Sequence, residues 1–247
     1  LGLEVYQLDL ILKYLGCNTL NQADILKIAY FFKVKSKFNL KLEETLLHFG
    51  DFITGKTYSD YVNLYDFIFL KKSENYPLRS SFEALIQGNT QDLDDDFVFG
   101  KLQTILPFIS GIKITEQQYN TIVSRQGYAL TAKPNLGQLS LIIRIAYICR
   151  SLNLSVEEFY FLKEISGLVD NGGYPVADFY NFITHVERIK SYGFSISDLA
   201  YILQDSNIEG NTVYKAEKDI SADLSELREI IKPVDKKIYR KYVLTSC

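Results

Sequence analysis

No methionine occurs anywhere in the 247 residues, and the first residue is leucine. The chain is therefore expected to be a segment from the interior of a longer protein, with a compartment set by its parent, and no signal peptide is visible. Two histidines, His48 and His185, are too few for a histidine-rich metal centre. Three cysteines, Cys17, Cys149 and Cys247, are too few and too scattered for a disulfide framework. Cys149 lies inside an apolar run and reads as a buried thiol. No apolar run approaches the roughly 18–20 residues of a membrane-spanning helix. Basic residues number 27 and acidic residues 30, interleaved to a net charge of −3. That balance leaves no basic stripe and speaks against nucleic acid as a partner. Convincing period-2 strands are missing, as are G-x-S-x-G and any Cys/His pair at catalytic spacing.

Aromatic residues are plentiful, with 18 Tyr and 16 Phe. They fall mostly on the apolar faces of helical patterns, where packing is their expected role. A short phrase also recurs: Leu3–Leu8, Leu40–Thr45, Ile114–Tyr119, Leu154–Phe159 and Phe194–Leu199. The leading apolar residues are separated by 37, 74, 40 and 40 positions. Each copy has the form of a helix start. In the last three, Thr115, Ser155 and Ser195 are placed to accept the first free backbone amides. Gln118, Glu158 and Asp198 are placed to reach back and close the box. The pairs Ile114/Tyr119, Leu154/Phe159 and Phe194/Leu199 are spaced as hydrophobic staples. A helix start about every 40 residues predicts an all-α, repeat-like array of helical hairpins with a period of ~37–40 residues, in the size range of HEAT and armadillo repeats.

The strongest helical period covers Gln138–Ser151, followed by Asn153 as a left-handed exit and Ser155 as the next cap. The same plan is read at Phe179–Ser191, with Gly193 as the exit, and at Ala23–Lys37, with Asn39. Tyr58–Lys71, Phe82–Ile86 and Leu102–Ile109 read as helices of a less regular middle, around an acidic loop at Gln91–Asp96. Gly127–Pro134 and Asp170–Pro175 are loops by composition. Two further helical candidates follow Ser221 and break at Pro233. The expected organisation is hairpin repeats over 1–72, an irregular helical insertion over 73–112 and hairpin repeats over 113–247, or all of these as one α-helical domain.

One motif points to chemistry. Gly50, Gly55, Lys56 and Thr57 fit G-x-x-x-x-G-K-[ST], in which backbone amides wrap phosphates, the lysine reaches β/γ oxygens and the hydroxyl holds Mg²⁺. Such a loop must follow a buried strand, whereas Leu40–Phe49 reads as a capped helix, and no later strand offers a second Mg²⁺ carboxylate. The expected reading is a polar loop between helices, and no enzyme is expected. Asp92–Asp96 lacks the glycine and glutamate of a calcium loop, because Phe97 and Gln103 hold those positions. Asn153-Leu154-Ser155 is a formal glycosylation sequon whose serine is better explained as a cap. Glu43/Glu44 and Glu157/Glu158 are first-turn acids that complement the helix dipole. Neither a cofactor nor a metal ligand set is expected.

Val186–Leu203 resembles the helix–turn–helix phrase of the A component of bacterial insecticidal toxin complexes (Tc toxins), and Ile145–Leu162 is similar to the same phrase. Leu64–Leu70 resembles that family's leucine/aromatic phrase with a central Asp. The resemblance spans most of the chain in pieces, and its matching phrases are structural. It implies a segment of the α-helical shell of a very large secreted bacterial protein. That protein is a pentamer whose shell surrounds a channel that inserts into host membranes on a pH trigger and passes a toxic enzyme. The implied partners are other parts of the same chain, neighbouring protomers and, for the whole toxin, a host-cell surface receptor. Channel helices, an apolar pore tip and a β-rich receptor-binding domain have no counterpart in this sequence. Holding such a shell closed until a pH trigger would rely on titratable groups at its interfaces, and His48 and His185 are the two with near-neutral reference pKa values. A helical-repeat module that binds a protein or glycan, and a P-loop nucleotide-binding protein, are the alternatives.

Overall fold

The computed structural model describes residues 3–17, 20–54, 63–71, 79–88, 90–104, 106, 114–193, 195–204, 221–222 and 225–226. The chain divides into two compact units, Leu1–Phe194 and Ser195–Cys247. The anticipated boundaries at 72/73 and 112/113 both fall on stretches outside the described residues.

The protein is all-α, with no strand among the described residues. The first unit carries α1 (Val5–Tyr14), α2 (Gln22–Phe38) and α3 (Leu42–Leu46), then a π-helical turn at Asp66–Lys71. It continues with α4 (Arg79–Gln87), a 3₁₀ turn at Thr90–Asp92, α5 (Phe99–Leu102) and α6 (Glu116–Arg125). It closes with α7 (Leu136–Leu152), α8 (Val156–Ser166) and α9 (Val176–Ser191). The second unit carries α10 (Ile196–Gln204), and Ser221, Ala222, Ser225 and Glu226 are also helical there.

All five recurring phrases open a helix, and the reason is local hydrogen bonding. The Gln118 amide donates to Thr115 Oγ1 at 3.2 Å, and the Thr115 amide returns to Gln118 Oε1 at 2.8 Å. Ser155/Glu158 and Ser195/Asp198 close the same box. In the first two copies Glu4 and Lys41 hold the cap position, and only the returning half forms. There the Gln7 and Glu44 side chains accept the Glu4 and Lys41 amides at 3.1 and 2.9 Å. Two staples are buried at both ends, Ile114/Tyr119 and Leu154/Phe159, while Phe194 lies outside the described residues. Replacing Ser155 with Ala should cost about 1 kcal/mol in urea denaturation.

The exits are equally local. Asn39 and Asn153 adopt φ of 51° and 49° after α2 and α7, and Gly193 follows α9 at 81°. Asparagine tolerates this left-handed geometry better than most residues, which lets α8 leave α7 with a bend of 95°. The middle differs from its sequence reading. Helix α5 ends at Leu102, where the sequence reading has a helix begin, and its Phe99 and Gly100 amides bond the Ala132 and Leu130 carbonyls of the loop at 127–134; of Leu102–Ile109, residues 105 and 107–109 lie outside the described residues. The described end of the Tyr58–Lys71 segment is a π turn, initiated where Asn63 Oδ1 accepts the Asp66 amide at 2.7 Å.

Packing is not purely between chain neighbours. Helix α9 lies along α2, where Tyr30 meets Tyr180 with ring centroids 5.2 Å apart and Lys37 pairs with Glu187. The aromatic residues form a core, as their spacing implied. Phe52, Tyr65, Phe69, Phe82 and Phe97 follow one another at centroid distances of 5.5, 4.9, 4.5 and 5.0 Å where the pairs touch. Helix α7 is the centre of the unit, with Leu139, Ile142, Ile143, Ile145 and Ile148 fully buried.

Candidate functional site

One charged side chain sits in the middle of that apolar helix. Arg144 is 1% exposed. A guanidinium cannot lose its proton, so burial must be offset by hydrogen bonds and an opposing charge. Both are present. Nη1 donates to the two carboxylate oxygens of Asp170 at 2.8 Å each. Nε donates to the Leu47 carbonyl at 2.7 Å, and Nη2 to the Gly50 and Gly172 carbonyls at 2.8 and 3.3 Å. Asp51 adds a more distant carboxylate oxygen, 3.5 Å from Nη2. The Tyr174 ring lies against the same guanidinium, 5.8 Å from its centre.

The effect is to bind two loops to α7. The loop at 47–52 leaves α3, and the loop at 170–175 joins α8 to α9. They also bond each other directly, the Tyr174 amide donating to the His48 carbonyl at 2.9 Å, and within the second loop the Gly173 amide donates to Asp170 Oδ1 at 2.9 Å. Gly173 has φ of 156°, and a Cβ placed there would sit 2.3 Å from both the carbonyl carbon and oxygen of Phe49. The first residue of the P-loop match is explained in the same terms. A Cβ at Gly50 would lie 2.7 Å from the Tyr14 ring, whose hydroxyl donates to the Asp51 carbonyl.

Where the motif is described, at Gly50, the backbone turns a carbonyl toward the bound charge. A phosphate cradle turns backbone amides inward, whereas here the Leu47 and Gly50 carbonyls converge on a cation that the protein supplies itself. The Phe52 amide is taken by Ser140 Oγ at 3.0 Å. The segment before Gly50 is α3 and a turn, not a strand. Gly55, Lys56 and Thr57 lie outside the described residues, so only Gly50 of the four motif positions is placed. The six cap residues Thr115, Gln118, Ser155, Glu158, Ser195 and Asp198 act in pairs three residues apart. They mark three separate helix starts.

His48 lies in the loop that Arg144 holds and is fully buried. Its ring is flanked by Phe179, Phe38 and Phe49 at 5.2, 6.0 and 6.2 Å, with Nδ1 2.8 Å from the Glu44 carbonyl. Burial drives its pKa down to about 4, and Arg144 adds to the shift. His185, by contrast, is exposed on α9. The unfolded chain therefore takes up a proton at His48 below pH 6.5, which the folded chain refuses until about pH 4. Stability from this group is complete above pH 6.5 and is lost as pH falls toward 4, on the order of 3 kcal/mol in all. Urea midpoints measured between pH 7.5 and 4.5 should show that slope, and His48→Phe should flatten it.

Cys149 is 5% exposed, and burial pushes its thiol up to about 12, consistent with the buried-thiol reading. Among the described residues no group of three or more His, Cys, Asp or Glu side chains is placed to hold a metal. No protein-family model, curated protein or solved structure matches the chain.

Sequence reasoning passed over Arg144 and Asp170. The available signal was a charge in the middle of Leu141-Ile142-Ile143-Arg144-Ile145-Ala146, on a helix apolar on nearly every side. It also passed over Asn135 as the cap of α7, although Asn135 and Gln138 form the same reciprocal box at 2.9 Å.

Proposed function

We propose that this chain is a structural segment of the helical shell of a Tc-toxin-like translocation component, a secreted pentamer that delivers a toxic protein into host cells. The observation that carries this reading is that the resembling phrase Ile145–Leu162 is the close of α7, the left-handed turn at Asn153 and the capped start of α8. The geometry of the polar centre supports a load-carrying rather than a reacting role, since Arg144 directs its donors to three backbone carbonyls and two acids of its own chain. Carbonyls facing a resident cation weigh against the nucleotide alternative at Gly50–Thr57. Partners on this reading are the rest of the parent chain and the neighbouring protomers.

The test is to locate the segment in the parent particle. Antibody fragments raised against the 247-residue chain should decorate the outer wall of negatively stained particles in a five-fold pattern. Label on the channel axis, or a parent that forms no large particle, would rule the reading out.

A further inference from the structure

We infer that the groove between α8 and α9 is a docking site for an acidic amphipathic helix. The inference does not depend on the shell reading. The groove encloses about 300 Å³. Its floor is Leu162, Phe182 and Val186, all buried. Its edges are large apolar side chains left in solvent, Ile165 at 39% and Tyr192 at 69% exposure. From Phe182 to Tyr192 the α9 wall runs ten residues, roughly 15 Å of helix rise. An open trough of that length between two helices accommodates a third helix through apolar anchors at i, i+3, i+4 and i+7.

Charge selects the partner. Among the described residues that line the groove, the charged or titratable side chains are Arg188, His185 and the Tyr192 phenol, and none is a carboxylate. The nearby charges are directed elsewhere or stand outside. Glu187 is paired with Lys37 of α2, and Lys190 donates to the Leu152 and Asn153 carbonyls. Glu164 on α8 is exposed and does not line the groove, and Lys163 on the same helix is only partly exposed. A helix with glutamates flanking its apolar stripe satisfies Arg188 while it covers Ile165 and Tyr192.

The probes are two synthetic helical peptides of about 14 residues, with leucine at i, i+3, i+4 and i+7 and either glutamate or lysine on the flanks. Fluorescence anisotropy against the 247-residue chain should show saturable binding of the glutamate peptide, at least about tenfold tighter than the lysine peptide. Arg188→Glu should reverse that preference, and Ile165→Ser should weaken both. Circular dichroism of each variant confirms that the fold is retained, and reversal of preference is a result that unfolding does not give. Equal binding of both peptides, binding of neither, or saturable uptake of dodecanoate without either peptide would overturn the assignment.

Discussion

Replacing Arg144 with Met should destabilise the first unit by about 3–5 kcal/mol, the range for removing one partner of a buried ion pair. The loss is not the worth of the pair. It is the cost of what stays behind: an Asp170 carboxylate whose side chain is 9% exposed, and three carbonyls without donors. Adding Asp170→Leu to Arg144→Met should restore part of the stability, because no buried charge then remains unpaired, although the carbonyls of Leu47, Gly50 and Gly172 are still unmet. Arg144→Lys should fall between, at a loss of about 2 kcal/mol. An ammonium places one charge but lacks the planar fork that reaches both loops at once. Urea denaturation of the parent, Arg144→Met, Asp170→Leu and the double variant gives the double-mutant coupling directly. An Arg144→Met chain as stable as the parent would show that the two loops are held by something else.

Gly173→Ala should be nearly as damaging, at about 3–4 kcal/mol. The added methyl meets backbone, not a side chain that can swing away, at 2.3 Å from Phe49. Relief requires the loop at 170–175 to lift from the loop at 47–52. That movement stretches the Tyr174–His48 backbone bond and pulls Asp170 from Arg144, so one methyl disturbs the whole brace. Gly172 is the control. It has φ of 80° but nothing within 4 Å of its added Cβ, so Gly172→Ala should cost only about 1 kcal/mol, for backbone strain. The difference between the neighbouring variants, read from thermal or urea midpoints, isolates the close approach from the conformational term.

The two kinds of feature differed in how far they could be read from the chain. Helix starts were legible because a capping box is chemistry within four residues. Thr115–Gln118, Ser155–Glu158 and Ser195–Asp198 carry it in full, and Glu4–Gln7 and Lys41–Glu44 carry half. Asn39 and Asn153 were legible as exits for the same reason. The brace was not, because Arg144 draws its partners from 26 and 97 positions away, at Asp170 and Leu47. No local pattern specifies such a pairing. The packing of α9 on α2 is nonlocal in the same sense, and the hairpin reading, which considers each helix with its chain neighbour, did not contain it. His48 was noticed for its reference pKa, yet burial among three phenylalanines sets its behaviour and only the fold supplies that.

The central claim is that the polar centre at Arg144 is a brace, with the Gly50 loop turned toward a cation of the protein's own. The most direct test is titration of the chain with a fluorescent ATP analogue and Mg²⁺, beside Lys56→Ala and Arg144→Met. The account predicts no saturable signal for the parent chain or for Lys56→Ala, while Arg144→Met loses stability. Saturable binding by the parent chain that Lys56→Ala abolishes would contradict it and make Gly50–Thr57 a nucleotide site.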